Sequence, residues 1–179
     1  MVIQARNLGH SGGFYMYRVH KDKAGRLCAN GFSTLKNYLH AVFESCPDDY
    51  FFSGPRSSAL KFRTYHDVAQ VTGHEVSVLA RHGLRENFTR FRDNHSRVQV
   101  FMLENDDKTI AMEVPLWLTS QEFQGYQELF GTELPLTGHI DVLRVDDSTV
   151  WIWDYKPNAH KEKYASTQVY FNALMLSKR

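Results

Sequence analysis

The sequence predicts an α/β fold in which a central sheet is flanked by helices. Apolar residues recur at helical spacing early in the chain, alternation with turn chemistry follows, and helical spacing returns at the end. A chain of 179 residues suits one domain, burying roughly 70% of its unfolded surface. With 42% hydrophobic and 23% charged residues the composition is that of a globular protein.

The elements follow in order. "STLKNYLHAVFES" places Leu35, Tyr38, Leu39, Val42 and Phe43 on one helical face, with Ser33 or Thr34 as N-cap and "CPDD" as the stop. "ALKFRTYHDVAQ" and "HEVSVLARHGLRENFTRF" read as one or two helices interrupted near Thr72 and Gly73. "RVQVFMLE", the turn "NDDK" and "TIAMEVPLWL" read as a hairpin. A short helix, "TSQEFQGYQELF", carries Thr119 and Glu122 at capping-box spacing and Gly131 as its stop. A second hairpin spans Gly138 to Pro157, and "KEKYASTQVYFNALML" forms the closing helix.

The second hairpin carries the chemistry. On its outgoing strand Val150, Ile152, Asp154 and Lys156 share a face, opposite Trp151, Trp153 and Tyr155. The acid and the amine therefore sit at the end of an apolar row, where burial is costly unless they are paired or bound to metal. The turn folds Asp141 back towards Asp154, and Gly138 relaxes the backbone beside it. Two carboxylates beside one lysine suit phosphodiester hydrolysis: the acids bind a hard cation and the lysine balances developing charge.

The spacing "GHID", twelve residues, "DYK", and Gln168 twelve residues further on resembles the RecB-like branch of the PD-(D/E)XK nucleases. The likeness runs from Phe32 to Leu176. "FSTLKNYLHAVFESCPDDYFF" looks like the family's N-terminal helix, "SSALKFRTYHDVA" like its histidine segment, and "AMEVPLWL" like the strand that supplies an extra glutamate. The resemblance implies a restriction-endonuclease-like core with a mixed sheet. It also implies a Mg2+- or Mn2+-dependent deoxyribonuclease, an exonuclease rather than an endonuclease, acting in recombination, repair or phage DNA processing. Asp141 and Asp154 would be metal ligands with the Tyr155 carbonyl, Lys156 the catalytic lysine, His66 the helix-borne ligand and Glu113 a further ligand. Gln168 would be the motif glutamine that positions DNA or the site. His74, in "TGHEV", is the alternative to His66. Arg63 stands where the family has glycine, and Asn172 where it has tyrosine.

DNA is the expected partner. Arg81 and Arg85, within an arginine-rich stretch, and Lys161 and Lys163 are candidate phosphate contacts, against the reading of a solvated helix face. A net charge of +1 gives no overall polyanion signature. Cys28 and Cys46 have no metal-pair spacing and are expected to be reduced and structural, and two cysteines exclude an iron–sulfur cluster. There is no membrane-length apolar run and no secretory signal, so the expected location is cytoplasmic. P-loop, GxGxxG, GxSxG and HExxH patterns are absent. The alternative to a nuclease is a non-catalytic DNA-binding or assembly module that keeps the fold.

Overall fold

The structure, a computed structural model, describes residues 2–179. Five strands form one sheet in chain order: β1 (Ile3–His10), β2 (Gly13–His20), β3 (Thr109–Leu118), β4 (Leu136–Asp146) and β5 (Thr149–Trp153). The helices are α1 (Lys21–Leu27), α2 (Ser33–Ser45), α3 (Tyr50–Ser53), α4 (Glu75–Glu86), α5 (Asn94–Asn105), α6 (Tyr126–Phe130) and α7 (Ala165–Leu176). None is long and apolar enough to cross a membrane.

All four strand pairings are antiparallel, which corrects the expected mixed sheet. Ser11-Gly12 joins β1 to β2 and Asp147-Ser148 joins β4 to β5, and two-residue connections permit only antiparallel neighbours. Among the described residues parallel pairing is confined to an isolated bridge between Arg56 and Thr137.

Helices cover the sheet with two sets of contacts. Leu35, Leu39 and Val42 of α2 and Phe171 and Met175 of α7 pack with Val114, Leu116, Ile140 and Leu143. On the other side Val98 and Met102 of α5 meet Val142, while Val100 and Leu103 meet Met112. Tyr17 and Tyr38, both buried, satisfy their hydroxyls by donating to the carbonyls of Leu39 and Pro115.

Local signals were realised unevenly. The capping box formed: Glu122 Oε2 accepts from the Thr119 amide at 2.7 Å, and Gly131 closes α6 in the left-handed region at φ 68°. Helix α2 starts where expected, but Phe32 occupies the N-cap position and no side chain caps it. "RVQVFMLE" belongs to α5, not to a strand. Asp93 caps this helix by accepting from the Ser96 amide at 2.7 Å. Because α5 is buried on more than one side, its apolar residues lose a clean helical period and mimic alternation. "ALKFRTYHDVAQ" is irregular. Thr64, Tyr65, His66, Asp67 and Val68 are weak helix formers, and with Val68 and Val71 exposed there is no buried face to offset the cost of nucleation. The β1–β2 hairpin, not expected from the sequence, shows period-two alternation in β2: Tyr15, Tyr17 and Val19 face inward, Phe14 and Met16 outward.

Gly138 locks the site-bearing strand against α7. A Cβ there would stand 2.5 Å from Ser57 Oγ and 2.6 Å from Asn172 Oδ1. Those two side chains share a 2.8 Å hydrogen bond, and Asn172 Nδ2 donates to the His139 carbonyl at 3.0 Å. Asn172, where the resembled family has tyrosine, thus ties α7 to β4. Gly138→Ala, which at an open strand position would gain about 0.4–1 kcal/mol, is expected here to lose about 1–3 kcal/mol by overpacking. Urea unfolding checks this, and an unchanged or raised midpoint refutes the packing argument.

Candidate active site

The β4–β5 register fixes the site. Val142 pairs with Trp153, so Asp154 leaves β5 alongside Asp141. The chain then bends out of the ladder, and the Tyr155 amide, freed from strand pairing, donates to Asp141 Oδ2 at 2.8 Å. Lys156 Nζ lies 2.7 Å from Asp154 Oδ2. That contact is an ion pair rather than an aligned hydrogen bond, because Oδ2 has no hydrogen-bond partner. Gln168 of α7 donates to Asp154 Oδ1 at 2.9 Å, so Asp154 is held from both sides.

Glu113 joins the site through a backbone irregularity. Met112 pairs with Val142 and Val114 with Ile140, which sets Glu113 opposite Asp141. Met112 packs on α5, yet Glu113 also reaches α5, accepting from Gln99 Nε2 at 2.6 Å. Adjacent strand residues cannot both face one side of a regular pleat. Glu113 resolves this with a φ of 51°, sparsely populated for a residue with a Cβ. Such conformations cost about 1–3 kcal/mol and gather at functional sites.

A cleft of about 290 Å³ opens over these groups, lined by Glu113, Asp141, Asp154, Lys156 and Gln168 together with His95, His139 and Arg56. Among the described residues the buried carboxylate oxygens without a hydrogen-bond partner are Glu113 Oε2 and Asp154 Oδ2, and both are here. Glu113 as a residue is only half-buried, but this oxygen is sealed from water. Burial, reinforced by the charges of Asp154 and Glu113, pushes the Asp141 carboxyl well above the usual carboxylate range. Burial also pushes Glu113 up to about 7, against the pull of the Gln99 hydrogen bond and with Asp93 and Asp154 adding like charge. Three carboxylates around one lysine leave an excess of negative charge in a poorly solvated place. That is an environment that attracts a cation.

The cleft therefore unites Glu113, Asp141, Asp154, Lys156 and Gln168, and Tyr155 contributes its amide. His66 is not among the lining residues: it stands on the exposed irregular segment, with its ring 4.6 Å from that of Tyr170. His74 is the N-cap of α4, accepting from the Val76 amide at 3.2 Å. The histidine beside the carboxylates is His95, whose Nε2 lies 3.8 Å from Asp141 Oδ2. It sits in the first turn of α5, hidden in the sequence within a stretch read as basic. Arg81 lines a neighbouring cavity of about 510 Å³ that also touches Trp153, Tyr155 and Lys156. Arg85 is paired with Glu86 at 2.8 Å and Arg90 with Glu104 at 2.7 Å, while Arg97 donates to the carbonyls of Phe91 and Phe88, so much of the arginine cluster is internally engaged. Lys161 and Lys163 are exposed on the approach to α7. Arg56, not singled out by sequence, stands at the cleft with its guanidinium bonded to the Ser11 carbonyl and the Tyr15 hydroxyl.

Comparison with protein-family models, with curated proteins and with solved structures finds no match for this chain.

The strain on Glu113 has a pH signature. Its folded carboxyl titrates above the ordinary 4.5, so the folded protein keeps a proton that the unfolded chain gives up between 4.5 and about 7. The metal-free protein should lose stability as pH rises through that window. Glu113→Gln should remove this part of the loss, so the wild-type and variant urea midpoints should diverge with increasing pH, the variant becoming the more stable. Parallel profiles would show that Glu113 is not held out of its ordinary range.

Proposed function

We propose that this protein is a divalent-metal-dependent deoxyribonuclease, and the observation that carries the reading is the convergence of Glu113, Asp141, Asp154 and Lys156 on one cleft, with Glu113 Oε2 buried and without a hydrogen-bond partner. The donor set is hard oxygen, which suits Mg2+ or Mn2+ rather than a thiophilic metal. Asp141, Asp154 and Glu113 would hold the ion. When bound, such an ion screens the phosphodiester and lowers the pKa of water at the site.

The chain's own groups then have distinct tasks. The Tyr155 amide fixes the Asp141 carboxylate and Gln168 fixes that of Asp154, so neither must reorganise when substrate arrives. The Lys156 ammonium, held by Asp154, would stabilise the charge that builds on the phosphorane oxygens. His95 can take up the proton released by the attacking water. Arg56 offers a guanidinium to a flanking phosphate. Arg81, Lys161 and Lys163 would follow the strand outwards. Digestion from an end, the exonuclease mode, rests on the resemblance of "GHID…DYK…Q" to the RecB-like branch.

A second reading is favoured by one observation. His66, the residue that would mark this branch, lies outside the cleft. The protein would then be a DNA-binding module that kept the carboxylates without the activity.

Lys156 separates the two. Lys156→Ala should bind DNA and Mn2+ nearly as the wild type does, because its work is confined to the transition state. Its cleavage rate should fall about 100–1000-fold, the loss typical of one electrostatic partner. End-labelled linear and closed circular DNA, incubated with Mg2+, Mn2+ or EDTA, provide the assay. Equal rates in wild type and variant would remove Lys156 from the mechanism. DNA binding without cleavage by the wild type in either metal would establish the binding module.

A further inference from the structure

Behind the wall of the cleft, three segments bring His10, Cys46 and Asp48 together. His10 ends β1, Cys46 is the C-cap of α2, and Asp48 lies in the turn leading to α3. His10 Nε2 is 2.9 Å from Asp48 Oδ1 and 4.0 Å from Cys46 Sγ, and one donor atom from each residue lies within 4.8 Å of the other two. Metal–ligand bonds of about 2.0–2.3 Å in a tetrahedral zinc site place the ligand atoms about 3.3–3.8 Å apart. The observed triangle needs only small shifts to reach that geometry.

The groups around the triangle hold it in shape. The His10 side chain has no exposed surface, and its ring stacks on Phe51 with centroids 3.7 Å apart. Its Nδ1 lies 2.9 Å from Nε2 of buried His139, whose ring stacks on Tyr15 at 3.9 Å. When the His10 Nδ1–H donates to His139, the Nε2 lone pair is left facing Cys46 and Asp48. That is the outer-shell arrangement that orients a metal-ligating histidine. Arg6 NH2 binds Asp48 Oδ2 at 3.2 Å and is itself anchored on the Val42 and Phe43 carbonyls, which turns Oδ1 towards His10. Asp48 retains 41% of its side-chain exposure, which gives an ion a way in and leaves a fourth position open to water.

We propose that His10, Cys46 and Asp48 form a Zn2+ site, separate from the carboxylate cleft. Imidazole and thiolate are borderline-soft donors that select zinc over Mg2+, whereas the cleft has no thiolate and its three carboxylates are hard donors. Binding releases the Cys46 thiol proton to solvent as the thiolate forms. The site clips β1, the end of α2 and the start of α3 together. Through His139, two residues before Asp141, it steadies the strand that carries the cleft. The proposal stands apart from the nuclease reading, since it is read by metal binding and not by activity.

The test uses the full chain stripped with EDTA and titrated with Co2+, then Zn2+. One equivalent of Co2+ should produce a thiolate-to-cobalt absorption in the near ultraviolet, and Zn2+, but not Mg2+, should abolish it. Cys46→Ser should lose the band and bind Zn2+ at least 10-fold more weakly, while Cys28→Ser and Asp141→Asn keep the wild-type band and affinity. No thiolate band in the wild type, or a band that survives in Cys46→Ser, overturns the proposal. If Cys46→Ser fails to fold by circular dichroism, X-ray absorption at the zinc edge of the wild type decides. One sulfur among nitrogen and oxygen neighbours supports the site, and a sulfur-free shell refutes it.

Discussion

The repulsion among Glu113, Asp141 and Asp154 is the constraint around which the rest of the structure is arranged. Burial, with like charge added to it, raises the proton affinity of Glu113 and Asp141 and opposes folding. They remain together because the elements that carry them cannot separate. Strands β3 and β4 pair along nearly their whole length, and β5 pairs with β4 up to Trp153. Helix α7 is keyed to β4 through Gly138 and Asn172, and Gln168 on the same helix then reaches Asp154. A rigid apolar core thus supplies the free energy that holds an unfavourable polar arrangement in place.

How much of this was legible in the sequence depended on how local the signal was. Asp141, Asp154 and Lys156 were readable because a hairpin with a two-residue turn fixes its own register, so sequence distance translates into spatial proximity. Gln168 followed from the resemblance and the structure places it on Asp154. Glu113 came from the same source, but nothing local announced the left-handed backbone that aims it, since that conformation is met only where β3 is held between β4 and α5. The mixed sheet failed because every strand neighbour along the chain is also a neighbour in space. His66 follows from its position after "SSALKF", but beyond Leu60 and Phe62 the segment has no apolar residue that is buried, Val68 and Val71 being exposed.

What sequence could not supply was the set of contacts made by tertiary packing. His95 looked like one more positive group in an arginine-rich stretch; only the docking of α5 against β3 and β4 brings it to Asp141. The cluster of His10, Cys46 and Asp48 has no motif spacing at all, because its first member lies 36 and 38 residues from the others and arrives on a separate strand. Cys46, expected to be reduced and structural, becomes a candidate ligand on these grounds alone. The two donor sets sit on opposite sides of His139, which lines the cleft and also faces His10.

Elsewhere the fold pairs its buried charges thoroughly, and this bears on what the cleft is for. Arg144, 2% exposed, binds Asp106 through Nε at 2.8 Å and Glu75 through NH2 at 2.7 Å. Asp106 also accepts from the Thr109 hydroxyl at 2.6 Å. Buried Lys23 donates to the carbonyls of Leu103 and Asp106 at 2.6 and 2.8 Å. Buried ions compensated in this way are tolerable, whereas uncompensated ones are strongly destabilising. A chain able to complete one such network could complete another. In the cleft three acids face Lys156 and Arg56, Glu113 Oε2 is buried without a hydrogen bond, and the glutamate bears backbone strain as well. Such features cost stability, since an apolar residue at Glu113 would relieve both desolvation and repulsion. Their presence beside a well-satisfied network in the same sheet sets the cleft apart from the structural ion pairs of this fold, and strongly perturbed, poorly compensated groups of this kind gather at functional sites.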